Sequence, residues 1–338
     1  MPQNKKQIAF DQIVAALLNE DEPFSPTFLH RFSDLEGKDL NTLKQSWVKI
    51  NPDRKANLML DLEEMLETDT RVSFDNLARI ALEDKDARVR QIAIRLLGEC
   101  DDTRLVPVFI NLLERDLDTD VRAAAAQGLG RFVYLGELDE IPERIFHSVE
   151  DCLLGIPESA PEIIRQRVLE SLGFSSRDEV PQMMLSAYNH GSEQWLASAL
   201  LAMGRSADPR WDRLVVDMLD HSSSEVRAEA IRAAGELELK SARQPLLELL
   251  SDYRSLEEEI FAATAWSLSQ IGGDQVRAAL EALSEQAEGD DEADFLEDVL
   301  ENLEFNENFS TGAMLEILED ELSNESDEME DPAEEDEN

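Results

Sequence analysis

Four arginines, Arg90, Arg122, Arg165 and Arg227, stand where an arginine is least expected. Each is the second residue of a largely apolar ten-residue segment. The segments read VRQIAIRLLG from Val89, VRAAAAQGLG from Val121, IRQRVLESLG from Ile164 and VRAEAIRAAG from Val226. A guanidinium presents its donors in a rigid planar fork suited to carboxylates, phosphates or clustered carbonyls. Take the first residue of a segment as position 0 and wind it at about 100° per residue. Positions 0, +4, +5, +8 and +11 then share one apolar arc, and +1 falls in the middle of it. A half-buried charge there needs a partner, because an unpaired one costs several kcal/mol. Acids lie six or seven residues upstream, at Asp84, Asp116, Glu158 and Asp220. Two looser copies begin at Trp195 and Ile260. They carry Leu196 and Phe261 in the slot, with His190 and Arg254 in place of an upstream acid. Arginine and acid vanish together, so Arg90, Arg122, Arg165 and Arg227 read as an internal ladder that fixes each helix to its turn.

Positions +2, +3 and +6 point away from the apolar arc. They place Arg95, Gln127, Arg167, Leu201, Arg232 and Trp266 on an outward row, together with Glu170 and Glu229. Arginine and tryptophan are common anchors of protein interfaces. This row is slightly positive by sequence, and these six residues are the expected partner-binding positions.

Other chemistry is sparse. The chain has two cysteines, Cys100 and Cys152, too few and too isolated for a disulfide framework or a thiolate zinc site. No phosphate-binding loop, dinucleotide fingerprint, zinc-protease motif or nucleophile elbow occurs. No catalytic, cofactor-binding or metal-ligating residue is expected. Seventy-five acids against 31 basic residues give a net charge of −44. Such a field repels nucleic acid and anionic membranes and favours basic partners, including basic clients of an assembly factor. No lysine or arginine follows Arg277. The acid-rich tail could fold back onto the slightly positive row, an intramolecular contact that a partner would displace.

The segments begin at Val89, Val121, Ile164, Trp195, Val226 and Ile260, a period of about 30–45 residues that marks stacked helical units. The expected fold is all-α, an α-solenoid of about eight antiparallel helix pairs. Residues 1–37 read as capping helices, with Phe10, Ile13, Val14, Leu17 and Leu18 on one stripe and Phe28, Leu29 and Phe32 facing inward. Residues 38–304 form the solenoid. Residues 305–338 form a largely disordered acidic tail with a short amphipathic helix near 313–322. Prolines open most first helices, and capping boxes are expected at Ser159/Glu162, Ser222/Glu225 and Ser255/Glu258. The longest step holds an insertion around residues 132–138, either a helix extension that buries its own aromatics or an exposed contact loop. No signal peptide or membrane span is expected, and the cytoplasm is the default compartment.

Paired helices, with proline opening the first and D-x-x-V-R-x-x-A-x-x-x-L-G opening the second, resemble HEAT repeats, in particular the short-period type found in phycobilisome bilin lyases. The resemblance covers roughly residues 38–304. It implies that second helices line a concave, partner-binding face and that the turn acid and helix arginine are structural. Catalytic relatives need more than this scaffold. HEAT-type deoxyhypusine hydroxylases hold iron between His-Glu pairs, whereas His30, His147, His190 and His221 are followed by Arg, Ser, Gly and Ser. HEAT-like DNA glycosylases present a basic groove, which the net charge opposes. The leading expectation is a non-enzymatic scaffold that binds a protein or peptide, with the tail modulating binding. A bilin-lyase-like enzyme or lyase subunit, and an assembly factor for basic clients, are the alternatives.

Overall fold

The computed structural model describes residues 8–287 and 289–310, and these are helical throughout with no strand among them. The expected helix near 313–322, and any contact of the tail beyond Ser310, lie outside the described residues.

The chain divides into two compact units, Met1–Met183 and Met184–Asn338. The first opens with α1 (Phe10–Leu18) and a 3-10 turn at Pro26–Phe32. The stripe Phe10, Ile13, Val14 and Leu17 is buried there, while Leu18 points outward and Phe28 is only half-buried. Phe10 and Phe32 meet edge to face at 5.6 Å, so the two elements cover the apolar end of the first unit. Helix pairs follow: α2 (Gly37–Trp47) with α3 (Pro52–Thr68), α4 (Asp75–Ala81) with α5 (Ala87–Leu96), α6 (Val106–Arg115) with α7 (Thr119–Glu137), and α8 (Glu143–Leu154) with α9 (Glu162–Leu172). Helix α10 (Val180–Tyr188) spans the division and precedes α11 (Glu193–Arg205). The second unit continues with α12 (Asp212–Val216), α13 (Ser224–Glu236), α14 (Arg243–Leu250), α15 (Glu258–Ile271), α16 (Val276–Ser284) and α17 (Asp290–Ser310). The succession from α2/α3 to α16/α17 gives eight pairs among the described residues.

One register governs the second helices from α3 to α15. The N-cap lies three residues before position 0 in all six recognised copies: Asp86, Asp118, Pro161, Ser192, Ser223 and Glu257. Asn51 caps α3 in the same way, accepting from the Asp53 amide, which makes Arg54 position 0 of a seventh copy and puts Lys55 in the arginine slot. The expected capping boxes do not form. Helices α9, α13 and α15 start late, at Glu162, Ser224 and Glu258, so each glutamate lands in the first or second helical position and cannot reach back. Ser255 instead closes a 3-10 turn by donating to the Asp252 carbonyl. The side-chain caps that form on second helices are Asn51, Asp86, Asp118 and Ser192, which accept from amides two or three residues on.

Within each unit, second helices pack against second helices. In three of these contacts the glycine at +9 makes the close approach possible. A Cβ on Gly130 would lie 3.2 Å from the Ser171 Cα of α9, one on Gly204 would lie 3.0 Å from the Ala233 Cα of α13, and one on Gly235 would lie 2.8 Å from the Ser267 Cα of α15. The residue it faces is at +7 each time. Where that residue is serine, its hydroxyl donates to the +5 carbonyl of the preceding second helix: Ser171 to Ala126 at 2.9 Å and Ser267 to Ile231 at 2.8 Å. Residues 132–137 extend α7 as helix and Leu138 caps it; Phe132, Val133 and Leu135 are buried, while Tyr134 and Leu138 stay exposed, so the segment is a helix extension and not a loop but buries only part of its apolar side chains. At the other end, α17 runs past the expected boundary at residue 304. Asn302 donates to Ser269 Oγ at 2.7 Å, Asn306 donates to the Ser269 carbonyl at 3.2 Å, and Arg277 pairs with Glu307 at 2.6 Å.

The charged ladder exists in the first unit but runs forward. Arg90 forks onto Asp116 of the next turn, with Nε to Oδ2 at 2.8 Å and Nη2 to Oδ1 at 2.7 Å. From its own turn it takes only the carbonyls of Asp84 and Lys85. The Asp84 carboxylate, which the sequence pattern assigned to Arg90, is held by Lys55 Nζ at 2.6 Å and by the Trp47 indole at 2.8 Å. In each turn the same carboxylate also accepts the N-cap amide, Asp86 onto Asp84 and Asp118 onto Asp116, both at 2.9 Å. Each aspartate thus closes its own turn through Oδ1 while its carboxylate receives a cation from the preceding repeat, Lys55 on Asp84 Oδ2 and Arg90 on both oxygens of Asp116. Arg122 donates to the Leu113 carbonyl at 2.8 Å, and Arg165 donates to the Ala160 carbonyl at 3.1 Å and pairs with Glu162 of its own helix at 3.8 Å. Arg227 Nε is buried and finds no acceptor among the described residues.

Two stability measurements follow from this packing. Gly235→Ala forces α13 away from α15 and should cost about 1–3 kcal/mol, as overpacking does, seen as a lower urea midpoint. Arg90→Ala leaves a buried Asp116 carboxylate unpaired and should cost about 3 kcal/mol at neutral pH. Burial pushes the Asp116 carboxyl up, but hydrogen bonds from Arg90 and the Asp118 amide outweigh it and hold it below its ordinary value. A carboxylate depressed in the fold stabilises fully above its unfolded pKa of about 4 and loses that contribution as pH falls through its folded value. The gap between wild type and Arg90→Ala should therefore be full at neutral pH and narrow in acid.

Candidate partner-binding face

The outward row is set by the same register. Position +6 carries Leu60 in α3, Arg95 in α5, Gln127 in α7, Leu201 in α11, Arg232 in α13 and Trp266 in α15, while Arg167 of α9 stands at +3. None of the three arginines is a free charge. Arg95 forks onto Glu63 of α3, with Nη2 to Oε2 at 2.7 Å. Arg167 pairs with Glu170 along its own helix. Arg232 bridges Glu229 at 2.7 Å and Glu259 of α15 at 2.6 Å. The positive excess that the row shows in sequence is thus cancelled. Glu63 and Glu259 lie on neighbouring helices, out of reach of a reading along one segment. Gln127 is exposed and Leu201 half-buried.

Besides Gln127, what remains open on the row is apolar. Trp266 is 41% exposed, whereas Trp47, Trp195 and Trp211 are buried. Trp266 stands in a hollow of about 410 Å³ in the second unit, with Ala262 and Ala263 on α15 and Phe295 on α17. Arg232, Glu236 and Glu259 rim it, so two of the six expected positions share one concavity. Phe295 is propped by an edge-to-face contact with Phe261 at 6.1 Å. Desolvation of the Glu236 carboxyl, which leans over Gly204, raises its pKa, and repulsion from Glu229 adds to this against the pull of Arg205 and Arg232.

The first unit has a counterpart of about 530 Å³, with Pro23, Phe24 and Leu60 as its apolar part and Glu20, Asp53 and Asp61 among its acids. Leu60, 49% exposed, was missed in the sequence because its copy lacks the terminal glycine and has lysine for arginine. The signal that finds it is the Asn-Pro cap nine residues upstream. Desolvation raises the pKa of Asp61, and Glu64 adds repulsion.

The groups that could do covalent chemistry are muted. Burial pushes the Cys152 thiol up to about 11, with Glu114 adding to the shift, and burial likewise raises that of Cys100. Both are thiols at neutral pH, the inert form. Among the described residues no cluster of histidine, cysteine and carboxylates is arranged to hold a metal ion. No described helix is long and apolar enough to cross a membrane.

Among curated proteins, none matches the chain in sequence. Solved structures do align. One is the complex of CpcE and CpcF of phycocyanin lyase from Nostoc sp. PCC7120, at 18% identity over 90% of this chain and 97% of that one, with a TM-score of 0.49. Human deoxyhypusine hydroxylase aligns at 18% identity over 78% and 95% of the two chains, with a TM-score of 0.33. Importin beta aligns at 15% identity over 91% of this chain but 48% of its own, with a TM-score of 0.42. The family model described as HEAT repeats matches residues 74–143, spanning α4 to α7 with its shared register, and 212–304, spanning α12 to α17. HEAT repeats are thus recognised in each of the chain's two units.

Proposed function

We propose that this protein is a non-enzymatic scaffold that binds a protein or peptide partner on the outward row of its second helices. The observation that carries this reading is Trp266: a large aromatic, 41% exposed, in a concavity built by three helices while the other three tryptophans are buried. Covering the exposed part of that ring recovers a fraction of the about 1.5–3 kcal/mol that full burial of a large apolar side chain is worth. Leu60 stands in the same register in the first unit, so both units offer an apolar anchor point. Arg95, Arg167 and Arg232 act here through ion pairs that shape the face, and Gln127 and Leu201 supply contact area.

Affinity capture from native lysate tests the reading. A partner held through the row should be retained by the wild type and lost, with about a tenfold or greater fall in recovery, by Leu60→Ser/Trp266→Ser. Far-ultraviolet circular dichroism should be unchanged, since neither side chain belongs to the buried core. Equal recovery by the two proteins would place the partner on another surface.

A further inference from the structure

The hollow around Trp266 has a charge as well as a shape. Its apolar part is Ala262, Ala263, Trp266 and Phe295. Around these stand Glu236 and Glu259 on the rim, with Glu229 beside Arg232. Asp291 and Asp298 are exposed on α17, one turn to either side of Phe295, and residues so spaced share a helix face. Against these five carboxylates stand two guanidiniums, Arg232, already held between Glu229 and Glu259, and Arg205, whose field already falls on Glu236. Nothing further along the chain can compensate, because no lysine or arginine follows Arg277. The volume, about 410 Å³, is within the usual range for a binding pocket, about 300–1,000 Å³.

From this juxtaposition we infer that the Trp266 hollow receives a basic amphipathic segment of a partner polypeptide, with an aliphatic or aromatic side chain between Trp266 and Phe295 and flanking lysines or arginines against Glu236, Glu259, Asp291 and Asp298. The inference rests on the partner-binding reading above and names the partner's chemistry. The chain's own residues 311–338 are a poor occupant, being acid-rich and without a single basic residue. Like charges facing one another across an interface oppose binding, whereas opposite ones raise association rates and fix register. The acids also give binding a signature, since exposed and half-exposed ion pairs weaken with salt while the apolar contact does not.

The test uses the full chain and three synthetic helical peptides. The first is built of leucine and lysine with leucines at i, i+3, i+4 and i+7, the second has every lysine replaced by glutamate, and the third has every leucine replaced by serine. Trp266 is the exposed member of the four tryptophans, so intrinsic emission reports the hollow directly, and anisotropy of labelled peptide gives the affinity. The leucine-lysine peptide should bind and shift Trp266 emission to the blue. Affinity should fall about tenfold or more in Trp266→Ala and in Phe295→Ala, and about fivefold in Glu236→Gln/Glu259→Gln. Raised salt should narrow the difference between the last variant and the wild type. Equal or tighter binding of the glutamate peptide would overturn the basic partner while leaving the binding face intact. Lysine-peptide affinity unchanged in both aromatic variants would show capture by the acidic surface at large and overturn the site. Binding of none of the peptides would also overturn it, while the lysate experiment above reports separately on the face itself.

Discussion

Everything in this protein depends on how closely one second helix can approach the next. The approach is set by a contact without side-chain chemistry on one side: the glycine at +9 lies flat against the residue at +7 of the following helix, with backbone within about one van der Waals contact. Gly130 against Ser171, Gly204 against Ala233 and Gly235 against Ser267 are three instances of one geometry. Because the helices touch at this point, the alanines at +4 (Ala93, Ala125, Ala199 and Ala230) are fully covered, and positions 0 and +8 are sealed from water. The serines at +7 add a hydrogen bond from helix to helix where the helices are closest, satisfying a carbonyl already engaged in its own helix without costing any packing volume.

The turn aspartates solve a second problem with the same economy of atoms. A helix pair needs a tight turn, and a stack of pairs needs each turn to sit correctly on its neighbour. Asp84 and Asp116 do both, one oxygen closing the local turn and the carboxylate as a whole receiving a cation from the repeat before. His221 shows that the local half of this role is separable: its Nδ1 accepts the Ser223 amide at 3.1 Å in the position that aspartate fills elsewhere. The second unit keeps the turn there without the forward ion pair, and Arg227 is correspondingly left with a buried donor.

Much of the architecture was legible in one dimension because a helix and its period write themselves into spacing. The segments at Val89, Val121, Ile164, Trp195, Val226 and Ile260 all lie on second helices, and their apolar arc is the core. What spacing could not carry was anything between segments. The partner of Arg90 is 26 residues ahead, not six behind, and the acids that neutralise Arg95 and Arg232 sit on adjacent helices. The capping boxes failed for a local reason, since Ser-x-x-Glu says nothing about how many turn residues precede the first helical one. Lys55 and Leu60 escaped notice because their copy keeps the cap and the register but not the spelling. As for the binding face, the positions could be listed by winding a helix, but only the fold separates a committed arginine from an uncommitted tryptophan.

The double use of Asp116 has a consequence for its neighbour. Asp116 and Asp118 are both engaged, one in the turn and the ladder and the other as the helix cap, yet Leu117 between them is fully exposed, its side chain outside every contact that defines the repeat. Lys85 holds the same place between Asp84 and Asp86. The scaffold is blind to what is written at these middle positions. They form a free channel along the edge of the stack, where a residue, a label or a fused peptide can change the surface of the molecule without informing its interior.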